Sequence, residues 1–226
     1  MKPESGFSKF LRFIGILFMS LTAAFTVLGG VGTSCAALFP TKWDSMAPLA
    51  PFQCLYILYV LVTTAIGVLG IRAVVMLVKG KPGGFKAAMT ALILGVVVGV
   101  IHILTSRSLR GSSMPVDAVV YITVLTLVIF LIFRIPAIWK GVDYSKAPRK
   151  ESKKSGGAAA IIVGVLCLTI QFMMASTHTW TNVNYADAFH GAMTFIGSGL
   201  IFAGAGLMIS ALLPERAIEK SKVFQS

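Results

Sequence analysis

The stretch VDAVVYITVLTLVIFLIFRIPAIW, Val116–Trp139, decides the fold. Between Asp117 and Arg134 it carries no charge at all. A run of this length matches the roughly 30 Å of hydrocarbon that an α-helix of about 20 residues crosses. Strands of a membrane barrel would be about half as long and would alternate apolar with polar residues, which this run does not. In hydrocarbon each unpaired backbone group costs several kcal/mol, so a continuous apolar run of this length must close its hydrogen bonds within itself, as a helix.

Working outward from that stretch, five further runs have the same character: Phe10–Val31, Leu55–Val78, Phe85–Thr105, Gly157–Thr177 and Ala188–Leu213. The whole chain of 226 residues is 56% hydrophobic and only 12% charged. Its mean hydropathy is +0.86. Soluble domains average about 25% charged residues. The expected fold is all-α: a polytopic membrane protein of six transmembrane helices.

The formal net charge of +12 raises nucleic-acid binding as a first thought. The distribution of the charges argues for topology instead. Lys2, Lys9, Arg12, Arg72, Lys79, Lys81, Lys86, Lys140, Lys146, Arg149, Lys150, Lys153, Lys154, Arg216, Lys220 and Lys222 fall on one side of the alternating spans. Only Lys42, Arg107 and Arg110 fall on the other. The positive-inside bias then places both the N- and C-termini in the cytoplasm. Arg72 and Arg134 lie near the cytoplasmic ends of their runs, within snorkelling reach. Trp43, Tyr56, Tyr59, Tyr121, Trp180 and Tyr185 are expected at the outer interface, and Trp139 and Tyr144 at the inner one. The full use of this code suits the cytoplasmic (inner) membrane of a prokaryote. The apolar run after Lys9 and Arg12 is long for a cleaved signal segment, and reads as an uncleaved first helix.

Domain organisation follows from the same pattern. Residues 1–139 read as a four-helix segment and 140–157, KGVDYSKAPRKESKKSGG, as a basic solvated linker. Residues 158–213 read as a two-helix hairpin and 214–226 as a cytoplasmic tail.

Cys35 and Cys54 flank the first outer loop. A disulfide between them would close a loop of about 20 residues and stabilise it by about 3 kcal/mol. Cys167, inside the fifth run, reads as a small apolar core residue. All eight carboxylates, Glu4, Asp44, Asp117, Asp143, Glu151, Asp187, Glu215 and Glu219, fall in tails, loops or first helical turns. Proton and sodium relays within a bilayer usually need an intramembrane acid. In SSMPVD, a serine cap, Pro115 and Asp117 are expected to start the fourth helix.

No catalytic signature is found: there is no HExxH, P-loop or GxSxG pattern. The segment IGSGL around Ser198 lacks a downstream histidine to act as base. The three histidines are His102, near the outer end of the third run, and His178 and His190, which flank HTWTNVNYADAFH. Two imidazoles from different helices suit axial ligation of haem b, with Arg107 and Arg110 as propionate contacts, and the three histidines with Asp187 suit a copper or zinc ion as the alternative. The plainer reading makes the stretch an outer turn, with Asn184 and Asp187 capping the sixth helix. Gly95 and Gly99, and Gly197, Gly199, Gly204 and Gly206, provide faces for close helix contact, within the chain or with another subunit.

The expected function is therefore that of a non-enzymatic subunit or scaffold of a membrane assembly, with no cofactor and no metal. Its expected partners are the lipid bilayer and other membrane subunits or a second copy. Two alternatives remain in view: a redox anchor holding haem b or quinone, and a facilitator for a small or apolar solute.

Overall fold

A computed structural model of the chain describes residues 2, 4–174, 179–180, 183–184, 187 and 190–213. Its long helices are α1 (Gly6–Leu38), α2 (Gln53–Val78), α3 (Gly84–Arg110), α4 (Val116–Phe133), α6 (Arg149–Met174) and α7 (His190–Leu212), with a short α5 (Pro136–Val142) between α4 and α6. Six of these, all but α5, are long and apolar enough to cross a membrane. The protein is an all-α, multi-pass membrane bundle. Two-residue strands at Thr179–Trp180 and Val183–Asn184 pair antiparallel in the α6–α7 connection.

The chain divides into two compact units, with the boundary between Ala147 and Pro148. In the first, α1 and α2 run antiparallel at very close range. A Cβ on Gly67 would sit 2.9 Å from the Val27 backbone nitrogen, and one on Gly30 3.0 Å from that of Thr64. Glycine at these points lets the two backbones touch, which is how helices associate when lipid removes the hydrophobic drive between them. Polar pairs supply further links. The hydroxyls of Thr22 and Thr126 bond at 2.7 Å between α1 and α4. Tyr56 bonds Ser106 at 2.7 Å and Tyr59 bonds Thr105 at 3.0 Å between α2 and α3.

The second unit is an antiparallel hairpin of α6 and α7 on a glycine seam. A Cβ on Gly157 would lie 2.6 Å from the Gly204 carbonyl oxygen, and one on Gly164 2.7 Å from that of Gly197. The heptad spacing within each helix keeps both pairs on one face.

Several sequence expectations need correction. The run Val116–Trp139 is two helices: α4 ends at Phe133, and Pro136 opens α5. Proline disfavours helical backbone in the preceding residue yet suits a first helical turn, so the break falls at Ile135. The stretch 140–157 is ordered, holding the end of α5, a 3-10 turn at Tyr144–Lys146 and the first turns of α6. Asn184 lies in a strand and α7 begins at His190. The N-cap of α4 is Pro115, without a side-chain bond, while Ser113 donates to Asp117 instead.

The expected disulfide is not formed: Cys35 and Cys54 are free and exposed. Helix α1 continues through Cys35 to Leu38, so its direction there is set by the helix. Ala37 and Tyr56 pack into one apolar cluster with Leu49 and Tyr59. Each cysteine lies two positions from its buried neighbour, about 200° around its own helix. Both thiols therefore point away from the surface where α1 and α2 meet.

Candidate functional site

The interior of the four-helix unit is polar in one zone, and the helical period explains why. On α1, Thr22, Thr26, Gly29 and Thr33 recur at intervals of three or four. So do Tyr56, Tyr59, Thr63 and Ile66 on α2, and Gly95, Gly99, His102 and Ser106 on α3; Val120, Thr123 and Thr126 do the same on α4. Such spacing places each set on one face of its helix. From these faces Thr26, Thr63, His102 and Thr123, with Gly29, Thr33, Ile66, Gly95, Gly99 and Val120, line a cavity of about 20 Å³, to which all four helices contribute. That is room for about one water molecule.

His102 is the chemical centre of this zone. It is 3% exposed. Tyr59 stacks on its ring at 4.2 Å with an 11° interplanar angle, and Tyr56 meets it edge-on at 5.5 Å. The two tyrosines are themselves edge to face at 5.7 Å. Their hydroxyls are committed to Ser106 and Thr105, so they hold the imidazole by their faces and edges and not by hydrogen bonds. Among the described residues the His102 ring has no hydrogen-bond partner. Tyr56 and Tyr59, expected at the lipid interface, are in the core; Tyr121 is exposed.

The threonines around the cavity are specialised by their own helices. Thr26 donates to the Thr22 carbonyl, Thr33 to Gly29 and Thr123 to Val119. Their protons are therefore used, and a further partner could meet their oxygens only as acceptors. Thr63 lines the cavity with a hydroxyl that has no partner among the described residues. Gly95 and Gly99 are needed for α4 to approach, since a Cβ on Gly99 would fall within 2.4 Å of Val120 Cγ2.

Arg107 and Arg110 are held by the turn between α3 and α4. Arg107 bonds Ser113 Oγ at 2.9 Å and pairs with Asp117 at 3.1 Å. Arg110 donates to the Met114 carbonyl at 2.8 Å. Ser113 donates to both Asp117 oxygens, at 2.7 and 2.8 Å. Gly111, at φ 70, closes α3 by returning its N–H to Arg107, the usual left-handed helix stop.

The His102 imidazole is covered by two tyrosine rings, and the adjoining space is that of a single water. The arginines expected at the propionates are engaged as described. His178 lies outside the described residues, and His190 opens α7 in the other unit. Among the described residues no group of three or more His, Cys, Asp or Glu is placed to hold a metal.

Two features escaped the sequence reading. Arg12, counted only as a flanking charge, is 2% exposed and donates to the Gly141 carbonyl at 2.5 Å. Tyr144 is buried, with its ring end against Gly15 and a hydroxyl that finds no hydrogen-bond partner among the described residues. Burial pushes its phenol well above the ordinary range, and the nearby Arg12 charge opposes that rise without cancelling it. Trp139 meets Phe85 edge-on at 4.7 Å. Residues Pro136–Lys146 thus form a strap across the end of α1, α3 and α4. The spacing of Arg12 and Gly15, one turn apart, is the only local sign of it.

A second surface lies on α7. Phe195, Gly199, Phe202, Gly206 and Ile209 fall within an arc of about 80°. The seam glycines Gly197 and Gly204 lie on the opposite side. Phe195 and Phe202 are 82% and 78% exposed, and a Cβ on Gly199 or Gly206 would meet nothing within 4 Å.

Comparison of the chain with protein-family models, with curated proteins and with solved structures returned no match.

Proposed function

We propose that the protein is a non-enzymatic subunit of a membrane assembly, in which α7 presents a contact surface to a second copy or to another membrane subunit. The observation that carries this reading is the α7 stripe. Only 17% of the membrane-crossing window of α7 is buried, and the outward face alternates large aromatic residues with glycine. Small residues admit a close partner helix, and the flanking phenylalanines provide the van der Waals contact that replaces hydrophobic drive in lipid. The positive-inside distribution supports cytoplasmic termini in a prokaryotic cytoplasmic membrane.

The test is the particle mass of the purified protein in mild detergent, by light scattering. A homo-oligomer or a stoichiometric complex is expected, reduced to the monomer by Gly199→Leu with Gly206→Leu. A wild-type particle that is strictly monomeric and without a partner counts against the reading.

A second reading is favoured by a different observation. The His102 and threonine lining gives the four-helix unit a polar zone, and the buried Asp117 carboxylate is held by Ser113 and Arg107, which suits passage of a small neutral solute. Flux into proteoliposomes, compared between wild type and Thr123→Val, tests it; equal rates in loaded and empty vesicles would sink it.

A further inference from the structure

We propose that His102, with Thr26, Thr63 and Thr123, forms a binding site for one small neutral hydride, a molecule with a single heavy atom and at least two hydrogen-bond donors. Three observations carry it. His102 is almost wholly buried yet without a hydrogen-bond partner among the described residues, although neutral imidazole has one donor and one acceptor nitrogen. Leaving such groups unpaired inside a protein costs about 1–3 kcal/mol each. The adjoining cavity has the capacity of about one water.

The lining then specifies the occupant. Thr26 and Thr123 have already donated their protons to carbonyls of their own helices, so each offers only an acceptor oxygen. Thr63 retains both roles, and His102 contributes one acceptor nitrogen. A molecule seated there must mainly donate. Anions, which only accept, are ill matched to such a lining, and a cavity of about 20 Å³ suits a very small solute. Water from the solvent and ammonia from an ammonium salt share the required chemistry. The site stands whether or not anything is conducted through the unit, so it is separable from the solute-passage reading.

The site is also pre-formed. The ring of His102 is fixed by Tyr59 and Tyr56, which are themselves tied to α3 through Thr105 and Ser106. Gly95 and Gly99 allow Thr123 and Val120 to come in from α4. An occupant therefore meets an arrangement that needs little ordering, which lowers the cost of binding.

The experiment uses the full chain, labelled with ¹⁵N-histidine, in lipid bilayers, and reads the His102 ring nitrogens by proton-detected solid-state NMR. His102→Asn assigns the signal. The expected result is a cross-peak between the His102 ring and solvent-exchangeable protons, lost in the near-isosteric Thr63→Val, Thr123→Val double variant. The upfield ring-current shift that Tyr59 imposes on His102 should persist in that variant, showing that the fold is intact; should the double variant lose it, Thr63→Val alone is read. Replacing sodium chloride by ¹⁵N-ammonium chloride at equal ionic strength and pH distinguishes the sources. An unchanged His102 shift identifies water, and a shift that saturates with ammonium identifies ammonia. Absence of the cross-peak in both media, with His102 shifts unmoved by the threonine variants, overturns the proposal.

Discussion

Within the four-helix unit the helices are joined by hydroxyl pairs, by stacked rings and by a buried arginine, as well as by glycines. Within the hairpin, α6 and α7 meet through apposed glycines at Gly157 and Gly204 and at Gly164 and Gly197. The difference teaches how much a membrane helix pair achieves by shape alone. Backbone contact is enough to register two helices, and it leaves the outer face of α7 uncommitted. A polar interior demands more helices, because every hydroxyl and imidazole must be enclosed and mostly paired. The four-helix unit therefore specifies an inside, whereas the hairpin specifies a seam.

The sharpest way to break that comparison is Gly204→Leu. Its side chain would begin 2.5 Å from the Gly157 carbonyl oxygen, which belongs to backbone and cannot turn aside. Overpacking of this kind costs about 1–3 kcal/mol and often more. The hairpin should open, seen as loss of α6–α7 cross-linking between introduced cysteines. Gly206→Leu, only two residues away but facing open space, should leave the hairpin intact.

Next in size is Arg12→Met in the four-helix unit. It removes a buried cation and leaves the Gly141 carbonyl without this donor, a loss of about 1.5–3 kcal/mol for a charged hydrogen bond. Resistance to unfolding in mixed micelles should fall, and trypsin should reach Lys140 sooner.

Gly15→Ala and Tyr144→Phe should act in opposite directions on the same strap. A Cβ at Gly15 would collide with the Tyr144 hydroxyl, so the alanine should displace Pro136–Lys146. The phenylalanine deletes a buried hydroxyl that has no partner among the described residues and should be neutral or stabilising by up to about 1 kcal/mol. The pH dependence follows with a definite sign. The folded chain holds the Tyr144 proton more tightly than the unfolded chain, whose phenol titrates near pH 10. Above pH 10 the unfolded state binds fewer protons, so wild-type stability should fall as pH rises, and Tyr144→Phe should lack that component.

The smallest effect expected is from Asp117→Asn. Arg107 is half exposed, with 53% of its side chain accessible, so the pair is screened and worth about 0.2–1 kcal/mol. A modest drop in thermal midpoint that shrinks in high salt would check it.

Much of this architecture is visible in particular residues. Charge-free stretches such as Ala118–Phe133 admit no conformation but helix in hydrocarbon, and the glycines at 197, 199, 204 and 206 announce close helix contact, though only the structure pairs 197 and 204 with 164 and 157. The candidate site was less legible. By its depth along α3, His102 reads as one of a ligand set with His178 and His190, whereas its neighbours are Tyr56 and Tyr59. The threonines at 22, 26, 123 and 126 were passed over because single hydroxyls in an apolar run change its hydropathy little. Cys35 and Cys54 suggested a bridge because they flank a loop, but helix phase turned both thiols outward.

By itself the chain determined what lies along it: six membrane-crossing lengths and which ends carry the basic residues. Those properties depend on local composition, since the bilayer acts as a uniform solvent for each segment in turn. Tertiary structure alone decided which face of each helix turned inward, that Arg12 would be buried under the strap, and that His102 would stand beside a water-sized cavity. These depend on the rotation of one helix against another, which is set by backbone contacts at a few glycines distant in sequence.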